Sequence, residues 1–177
     1  MMGKDEPVAE AARDTAFEPR DPDFESRVRS SFRRQALMEL IGAEITRLTP
    51  GHCEIALAYR DDLTQQHGFF HGGVVGAIAD NAAGYAAFSL MAAADSVLTV
   101  EYKLNLMVPS DGDRLIARAD VVRPGRTLSV ARSDVFVVKD GTEKLTATAL
   151  VTLMTLADRP DSPHDPASRV RMAAEYR

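Results

Sequence analysis

The sequence predicts an α+β domain in which a curled antiparallel sheet surrounds one long, buried helix. Residues 73–94 carry apolar side chains on all sides of a helical cylinder, so this helix needs a layer of structure around it. Residues 99–106 alternate polar and apolar side chains, which indicates a half-buried strand, and three further strand patterns follow. A central helix and enough strands to wrap it are therefore both present.

The remaining elements follow the chain in order. Residues 24–40 have apolar side chains at helical spacing, and Gly42 ends that helix. Strands are predicted at 43–48, 52–59, 99–106, 115–122, 128–138 and 145–156, and their turns at Pro50-Gly51, Ser110-Asp111-Gly112, Pro124-Gly125 and Asp140-Gly141. Because the turns between successive strands are short, we expect those strands to be antiparallel neighbours.

The chain of 177 residues is long enough for one domain with its own core. We assign that domain to residues 23–157, with a disordered leader at 1–22 and a proline-containing tail at 158–177. The leader lacks the apolar core of a signal peptide. The most apolar stretch, 74–94, contains Asp80 and Asn81, which favours a core helix over a membrane span.

The composition excludes several classes of protein. Lys plus Arg is 21 and Asp plus Glu is 26, and the net charge of −5 argues against general nucleic-acid binding. Cys53 is the only cysteine, so neither an internal disulfide nor a cysteine-rich zinc site can form. A single cysteine suits a reducing compartment, and we expect the protein to be cytoplasmic.

Two glycines open the long helix, and they are the first feature that suggests chemistry. The N–H groups at a helix start are unsatisfied and lie at the positive end of the helix dipole. Gly72 and Gly73 have no side chains to keep a ligand oxygen away from those groups. This arrangement suits the oxyanion that forms when a carbonyl is attacked.

Asp80 lies on the same helix, seven residues after Gly73 and therefore about 10 Å along the axis. Its helix face is otherwise made of Gly and Ala, so no polar stripe explains the carboxylate, and a functional role is favoured over a solvated one. At that distance Asp80 does not reach a carbonyl held at its own helix start. If both groups act together, one comes from a second subunit across a two-fold interface.

The sequence His71-Gly72-Gly73, followed after six residues by Asp80 on a long helix, resembles the hotdog-fold acyl-CoA thioesterases of the phenylacetate-degradation (PaaI) type. The resemblance covers residues 35–156 and agrees with the order of strands. It implies a hotdog fold and the hydrolysis of an acyl- or aryl-CoA thioester, with coenzyme A entering as part of the substrate and no further cofactor. It also implies a homodimer through the central helices, commonly paired into a tetramer.

The resemblance places roles on particular residues. Asp80 matches the family's nucleophile or general base, and either Gly72 or Gly73 matches the oxyanion donor. Gln65 stands where the family usually has Asn to place the carbonyl or the water, and it is one methylene longer. Thr99 matches a hydroxyl that orients the attacking water, or is an exposed strand residue.

Substrate binding is expected at further positions. Residues 123–127 resemble the hairpin that contacts coenzyme A in relatives, and we assign Arg123, Gly125, Arg126 and Thr127 to it; a solvated turn is the alternative. We also place His71, Phe70 and Asn81 among the substrate-binding residues, although His71 resembles a residue that mainly sets the helix start. Four aromatic residues are candidates for an acyl pocket or for plain core packing: Phe69, Phe70, Tyr85 and Phe88.

A metal site is not expected. His67 and His71 are four residues apart, but they precede the helix and have no accompanying carboxylates. Cys53 fits a small core residue better than a nucleophile.

The sequence therefore predicts an acyl-CoA thioesterase without nucleic-acid or membrane partners. Two alternatives stay open. One is a hotdog hydratase or dehydratase, whose usual His-carboxylate motifs are not found in this sequence. The other is a non-enzymatic acyl-CoA binding or sensing protein, for which the Gln65 departure leaves room.

Overall fold

The computed structural model of the protein describes residues 17–162. Its helices are α1 (Phe24–Arg33), α2 (Ala36–Ile41) and α3 (Gly72–Phe88), with a short 3-10 turn at Asp61–Leu63. Its strands are β1 (Ala43–Thr49), β2 (His52–Ala58), β3 (Ser96–Leu106), β4 (Arg114–Arg123), β5 (Leu128–Lys139) and β6 (Thr142–Leu156). The predicted α+β class and the order of elements are confirmed.

The six strands form one antiparallel sheet in the order β1-β2-β4-β5-β6-β3. The expectation that β3 and β4 are neighbours was wrong, because β3 pairs with β6 and lies at the edge. The connection between β3 and β4 spans residues 107–113, and that length lets the chain cross to the other side of β6 and β5. The Asp140-Gly141 hairpin forms as predicted, with both residues at positive φ.

Two helix boundaries differ from the prediction. The first helix is divided, because Gln35 adopts an extended conformation between α1 and α2. The long helix ends at Phe88 and not at residue 94. The residues predicted beyond Phe88 are rich in Ala and contain neither Gly nor Pro, so the sequence carries no clear stop signal there.

The core lies between α3 and the concave face of the sheet. Ten residues of α3 are buried, including Val75, Ile78, Ala79 and Phe88. The helix is not covered on every side, since one stripe of it is partly or fully exposed: Gly73, Val74, Ala77, Asp80, Asn81 and Gly84. In the described part of the chain, no helix combines the length and the apolar character that a membrane span requires.

The predicted leader and tail are described only in part. Residues 1–16 and 163–177 lie outside the described residues. Within the described part, Asp21 is buried and its carboxylate lies 2.7 Å from Arg27 Nε of α1. After β6, Asp161 forms an ion pair with Arg34, which follows α1. Both flanking segments therefore contact α1 or the residue that ends it.

Candidate active site

The two glycines at the start of α3 differ in the hydrogen bonding of their N–H groups. His71 is the N-cap, and its Nδ1 accepts a hydrogen bond from the Gly73 N–H at 2.9 Å. The Gly72 N–H has no acceptor among the described residues. Because Nδ1 accepts, the ring proton of a neutral His71 is on Nε2. The sequence left Gly72 and Gly73 as alternatives, and the geometry leaves only Gly72 with a free donor.

Strand β3 lies alongside α3 and runs in the opposite direction. A Cβ atom on Gly72 would lie 2.8 Å from Leu106 Cδ1, and one on Gly76 would lie 3.4 Å from Leu104 Cδ2. Further along, the Thr99 hydroxyl donates a hydrogen bond to Asp80 Oδ1 at 2.7 Å. The strand therefore contacts the helix start at one end and Asp80 at the other.

Asp80 is half-buried on the exposed stripe of α3. Burial raises the pKa of its carboxyl group above the ordinary value, and the hydrogen bond from Thr99 opposes that rise. Thr99 occupies Oδ1, and Oδ2 has no hydrogen-bond donor among residues 17–162. The arrangement is suited to a base or nucleophile, since one oxygen is held in place and the other is free.

The segment before α3 folds into a closed loop around Gln65. The Gln65 N–H donates to the Phe69 carbonyl at 2.9 Å, and the Gly68 N–H donates to the Gln65 carbonyl at 2.9 Å. The side-chain Oε1 of Gln65 accepts from the His67 N–H. Its Nε2 has no acceptor within the described residues and remains a free donor near the start of α3. The Gln65 side chain thus closes its own loop.

The hairpin between β4 and β5 has room only for a glycine at position 125. A Cβ atom on Gly125 would lie only 1.9 Å from the Leu128 carbonyl oxygen, so a larger residue does not fit. The Gly125 N–H donates to Ser129 Oγ at 3.1 Å, and the Thr127 carbonyl accepts from the Thr155 N–H at 2.8 Å. These bonds fix the shape of the turn.

The two arginines of this hairpin, Arg123 and Arg126, are exposed and make no ion pair with any described residue. The register across the sheet runs from Leu128 through Met154 to Leu98, next to Thr99. Along α3, the hairpin therefore lies on the side of Asp80 and not at the helix start near Gly72.

The other predicted residues divide between this region and the core. Asn81 lies on the exposed stripe and donates from Nδ2 to the Ala77 carbonyl at 3.0 Å. Phe70 is buried against Tyr59, with ring centroids 5.5 Å apart, while Phe69 is half-buried. Tyr85 and Phe88 lie towards α1, so the structure places both in the core and away from the stripe.

Cys53 and the histidines show no sign of a further centre. Cys53 is fully buried, and burial raises the pKa of its thiol to about 12. His67 is exposed on the loop. Across residues 17–162, no group of three His, Cys, Asp or Glu side chains is arranged to hold a metal ion.

Sequence reasoning missed Tyr59 and Tyr102. The Tyr59 hydroxyl donates to the Gly68 carbonyl at 3.3 Å and so braces the Gln65 loop. Tyr102 lies over Gly76, its hydroxyl 3.5 Å from where a Cβ atom would be. The alternation in 99–106 was a usable signal for the second residue, since it places Tyr102 on the same face as Leu104. Nothing local in the sequence indicates the contact of Tyr59.

Comparisons with known proteins agree with this geometry. The sequence model of the thioesterase superfamily matches residues 67–144. A candidate esterase of Saccharolobus solfataricus is 30% identical over 127 residues, which are 72% of this chain and 82% of the relative. The crystal structure of a thioesterase family protein from Silicibacter pomeroyi is 48% identical, covers 76% of this chain and 98% of its own, and has a TM-score of 0.75.

A more distant structure supports the fold alone. The E. coli PaaI protein, from the phenylacetic acid degradation operon, is 19% identical, with 78% of this chain and 96% of that protein covered and a TM-score of 0.69. With the relatives above, it confirms the hotdog arrangement of one helix and an antiparallel sheet. The chain belongs to the thioesterase superfamily and is a hydrolase of that family.

Proposed function

We propose that the protein is an acyl-CoA thioesterase, which hydrolyses an acyl- or aryl-CoA to the free acid and coenzyme A at a site shared by two subunits. The observation that carries the proposal is the pair of reactive groups on α3. Among residues 17–162, the Gly72 N–H at the helix start has no acceptor, and the half-buried Asp80 in the middle of the helix has one carboxylate oxygen without a donor. Thioester hydrolysis needs such a donor for the developing oxyanion and such a carboxylate for the attack.

The two groups come from different subunits. Along one helix they are about 12 Å apart, at 1.5 Å for each of eight residues, which is too far for one carbonyl to contact both. A second copy with its α3 antiparallel to the first places the partner's Asp80 beside Gly72. The exposed stripe of α3 supports this packing, since Gly73, Ala77 and Gly84 let two helices approach closely.

In the proposed reaction the thioester carbonyl accepts a hydrogen bond from the Gly72 N–H, and the Gln65 amide donates to the carbonyl or to the attacking water. Asp80 either removes a proton from that water or attacks the carbonyl carbon itself. In both routes the C–S bond breaks, coenzyme A leaves as the thiolate and takes up a proton, and one water is consumed. In the second route a mixed anhydride on Asp80 precedes the hydrolysis.

Coenzyme A is assigned to the β4–β5 hairpin. Arg123 and Arg126 have no ion-pair partner within residues 17–162, and on an acidic protein these two cations suit the phosphate groups of the nucleotide. Because this hairpin is at the Asp80 end, the coenzyme binds to the subunit that supplies the carboxylate, and the other subunit supplies the oxyanion donor.

The test is thiol release from a panel of acyl-CoAs, from acetyl through octanoyl to benzoyl, phenylacetyl and hydroxylated aryl forms. We expect one class to be hydrolysed, and Asp80→Asn to lower kcat by about 10²–10⁴-fold, because it keeps the shape and removes the base. Thermal unfolding serves as the control, and the variant should melt no lower than the wild-type protein. Hydrolysis at wild-type rate by Asp80→Asn would refute the mechanism, and binding without turnover would make the protein a sensor.

The role of Asp80 can be resolved in a single turnover in ¹⁸O-labelled water. A general base delivers ¹⁸O to the acid in that first turnover. A nucleophile delivers its own ¹⁶O, since water attacks the anhydride at the Asp80 carbonyl.

A further inference from the structure

Tyr102 is a large side chain beside the reactive groups of α3, and the proposed reaction does not use it. It belongs to β3, and 45% of its surface is exposed. Its hydroxyl lies 3.5 Å from where a Cβ atom of Gly76 would be. The tyrosine is therefore held over α3 with part of its surface uncovered.

An irregularity of β3 determines the face on which Tyr102 lies. The register of the strand shifts between Thr99 and Glu101, where Val100 is an extra residue. A one-residue bulge moves every later side chain to the other face of the sheet. Thr99 and Tyr102 consequently both contact α3, although they are three positions apart. Without the bulge, Tyr102 would point away from the helix.

Three features follow one another along α3. The β4–β5 hairpin lies on the side of Asp80, as the register across the sheet shows. Asp80 itself comes next, in contact with Thr99. Gly76, with Tyr102 over it, is four residues nearer the helix start, which is about 6 Å along the axis. Asp80 thus lies between the hairpin and Tyr102.

This order gives the direction of the acyl group, and in this respect the inference rests on the proposed function. In a thioester the sulfur and the acyl carbon are bonded to different sides of the carbonyl carbon. With the carbonyl at Asp80 and coenzyme A towards the hairpin, the acyl group extends towards Gly76. The first large side chain that lies over the helix in that direction is Tyr102.

We propose that Tyr102, in the subunit that supplies Asp80, closes the far end of the acyl subsite and limits the length of the acyl group. The space from Asp80 to Gly76, about 6 Å long, holds a short chain or a single ring. An extended octanoyl chain is longer than this space. The substrates are therefore compact acyl-CoAs, and a longer chain meets the tyrosine before its carbonyl reaches Asp80.

The length limit is tested by thiol release from straight-chain acyl-CoAs, from acetyl to octanoyl. We expect the wild-type kcat/KM to fall steeply for chains longer than the subsite. Tyr102→Ala opens the far end, so the ratio of kcat/KM for octanoyl-CoA to that for acetyl-CoA should rise by about tenfold or more. Tyr102→Phe keeps the ring and should keep the wild-type length limit.

A matched control removes an exposed apolar side chain from the other face of the sheet. Leu150 of β6 is exposed and lies between the buried Ala149 and Val151, so it points away from α3. Leu150→Ala should leave the length limit unchanged. A limit that moves equally in Leu150→Ala and Tyr102→Ala would overturn the role of Tyr102.

A second substitution should move the limit in the opposite direction. A Cβ atom on Gly76 would lie 3.4 Å from Leu104 Cδ2 and 3.5 Å from the Tyr102 hydroxyl, which are ordinary contact distances. Gly76→Ala is therefore compatible with the fold and fills part of the subsite. We expect it to lower kcat/KM for the longest accepted chain by about tenfold while acetyl-CoA is affected less.

Mixed dimers show which subunit's Tyr102 closes the subsite. In a large excess of Asp80→Asn, Tyr102→Ala chains enter hybrid dimers whose working site takes Asp80 from the Tyr102→Ala chain, so the limit should move. In a large excess of Asp80→Asn/Tyr102→Ala, wild-type chains supply both Asp80 and Tyr102 to the working site, so the limit should stay. A limit that moves in the second mixture would overturn the placement of Tyr102.

The outcomes separate the length limit from the proposed function. If Tyr102→Ala and Gly76→Ala lower kcat/KM equally for every chain length, the two residues only support packing, and the inference is wrong while the function stands. Hydrolysis of octanoyl-CoA by the wild-type protein as fast as that of short chains also overturns the inference. If nothing is hydrolysed but calorimetry shows binding with a length limit that Tyr102→Ala moves, the subsite stands and the proposed function is wrong.

Discussion

The two ends of α3 differ in how their backbone groups are hydrogen-bonded. At the start, His71 caps the Gly73 N–H, and the Gly72 N–H has no acceptor in the described part of the chain. At the end, the Arg27 guanidinium donates to the carbonyl of Phe88, the last residue of α3, and to three carbonyls of the segment after it, those of Met91, Ala92 and Asp95, at 2.7–3.4 Å. One end of the helix is open to a ligand and the other is fully closed by the protein.

The closed end is also the more deeply packed. Arg27 lies 4.2 Å from the centroid of the Phe88 ring and forms an ion pair with the buried Asp21. A cation is favourable at the negative end of the helix dipole, and unsatisfied carbonyls there would be costly. The comparison indicates that stability is supplied at the C-terminal end, so the N-terminal end can leave a donor unsatisfied for the reaction.

Of the changes at the two ends of α3, removal of the Gly72 N–H donor is expected to have the largest effect. Gly72 is the first helical residue, where proline is well tolerated, and the extended His71 before it suits a following proline. Gly72→Pro removes the N–H, and we expect kcat to fall by about 10²–10³-fold.

The matched control is Gly72→Ala, which adds the same Cβ atom near Leu106 but keeps the N–H. Steady-state thiol release compares the two variants. Equal rates for the alanine and proline variants would show that the Gly72 N–H takes no part in the reaction.

At the opposite end, Arg27→Met should lower stability and leave the chemistry intact. The change leaves four carbonyls and the buried Asp21 carboxylate without their cation, which costs about 3 kcal/mol. Denaturant unfolding measures the loss, and kcat well below the unfolding range should stay at the wild-type value.

Arg29→Met, two residues along α1, serves as the comparison. Arg29 pairs with the exposed Glu25 and donates one hydrogen bond to the Ile45 carbonyl, so its loss should cost only about 1 kcal/mol. A large fall in kcat for Arg27→Met at low temperature would show that the two ends do not have separate roles.

Substitutions of His71 should have smaller effects, and they distinguish a capping role from a role in the reaction. Asn is a strong N-cap and its side-chain oxygen can replace Nδ1, so His71→Asn should keep both stability and kcat within about threefold. His71→Ala loses the cap and should lower the free energy of unfolding by about 1 kcal/mol. If His71→Asn abolishes turnover while the protein stays folded, His71 acts in the reaction.

The smallest effect concerns the pH dependence of hydrolysis. The Thr99 hydroxyl lowers the pKa of Asp80, and burial raises it by more. Thr99→Val removes the lowering contribution, so the pKa of Asp80 rises further. Because the ionised carboxylate is the active form, the acid limb of kcat/KM should move to higher pH.

Thr99→Ser keeps the hydroxyl and should keep the wild-type pH profile. Well above the pKa, Thr99→Val should be only a few-fold slower than the wild-type enzyme. An acid limb that moves to lower pH would contradict the contact between Thr99 and Asp80.

The sequence predicts the N-terminal end of α3 far better than the C-terminal end. His71, the two glycines and Asp80 are close together in the chain, so their spacing on a helix gives their positions directly. Arg27 is 61 residues before Phe88, and no local pattern connects them. The helix end was placed at residue 94, whereas α3 ends at Phe88.

The sheet shows the same limit. Alternation in residues 99–106 predicts that Tyr102, Leu104 and Leu106 share a face, and their contacts with α3 agree with it. Thr99 also contacts α3, against the alternation, because the register of β3 shifts between Thr99 and Glu101. Alternation carries no information about which strand is the neighbour, so the pairing of β3 with β6 was not predicted. The sequence left Gly72 and Gly73 as alternative oxyanion donors. The structure was needed to distinguish them, because the answer depends on the orientation of the His71 imidazole ring.

The most direct test of a site shared between subunits is complementation between two inactive variants. Gly72→Pro lacks the donor and Asp80→Asn lacks the carboxylate, and each homodimer should be inactive. In a hybrid dimer one site combines the intact Gly72 of one chain with the intact Asp80 of the other. After statistical exchange of subunits, half of the dimers are hybrids with one working site of two, so the mixture should recover about a quarter of wild-type activity. No recovery, with exchange confirmed by mass, would contradict a site built from two subunits.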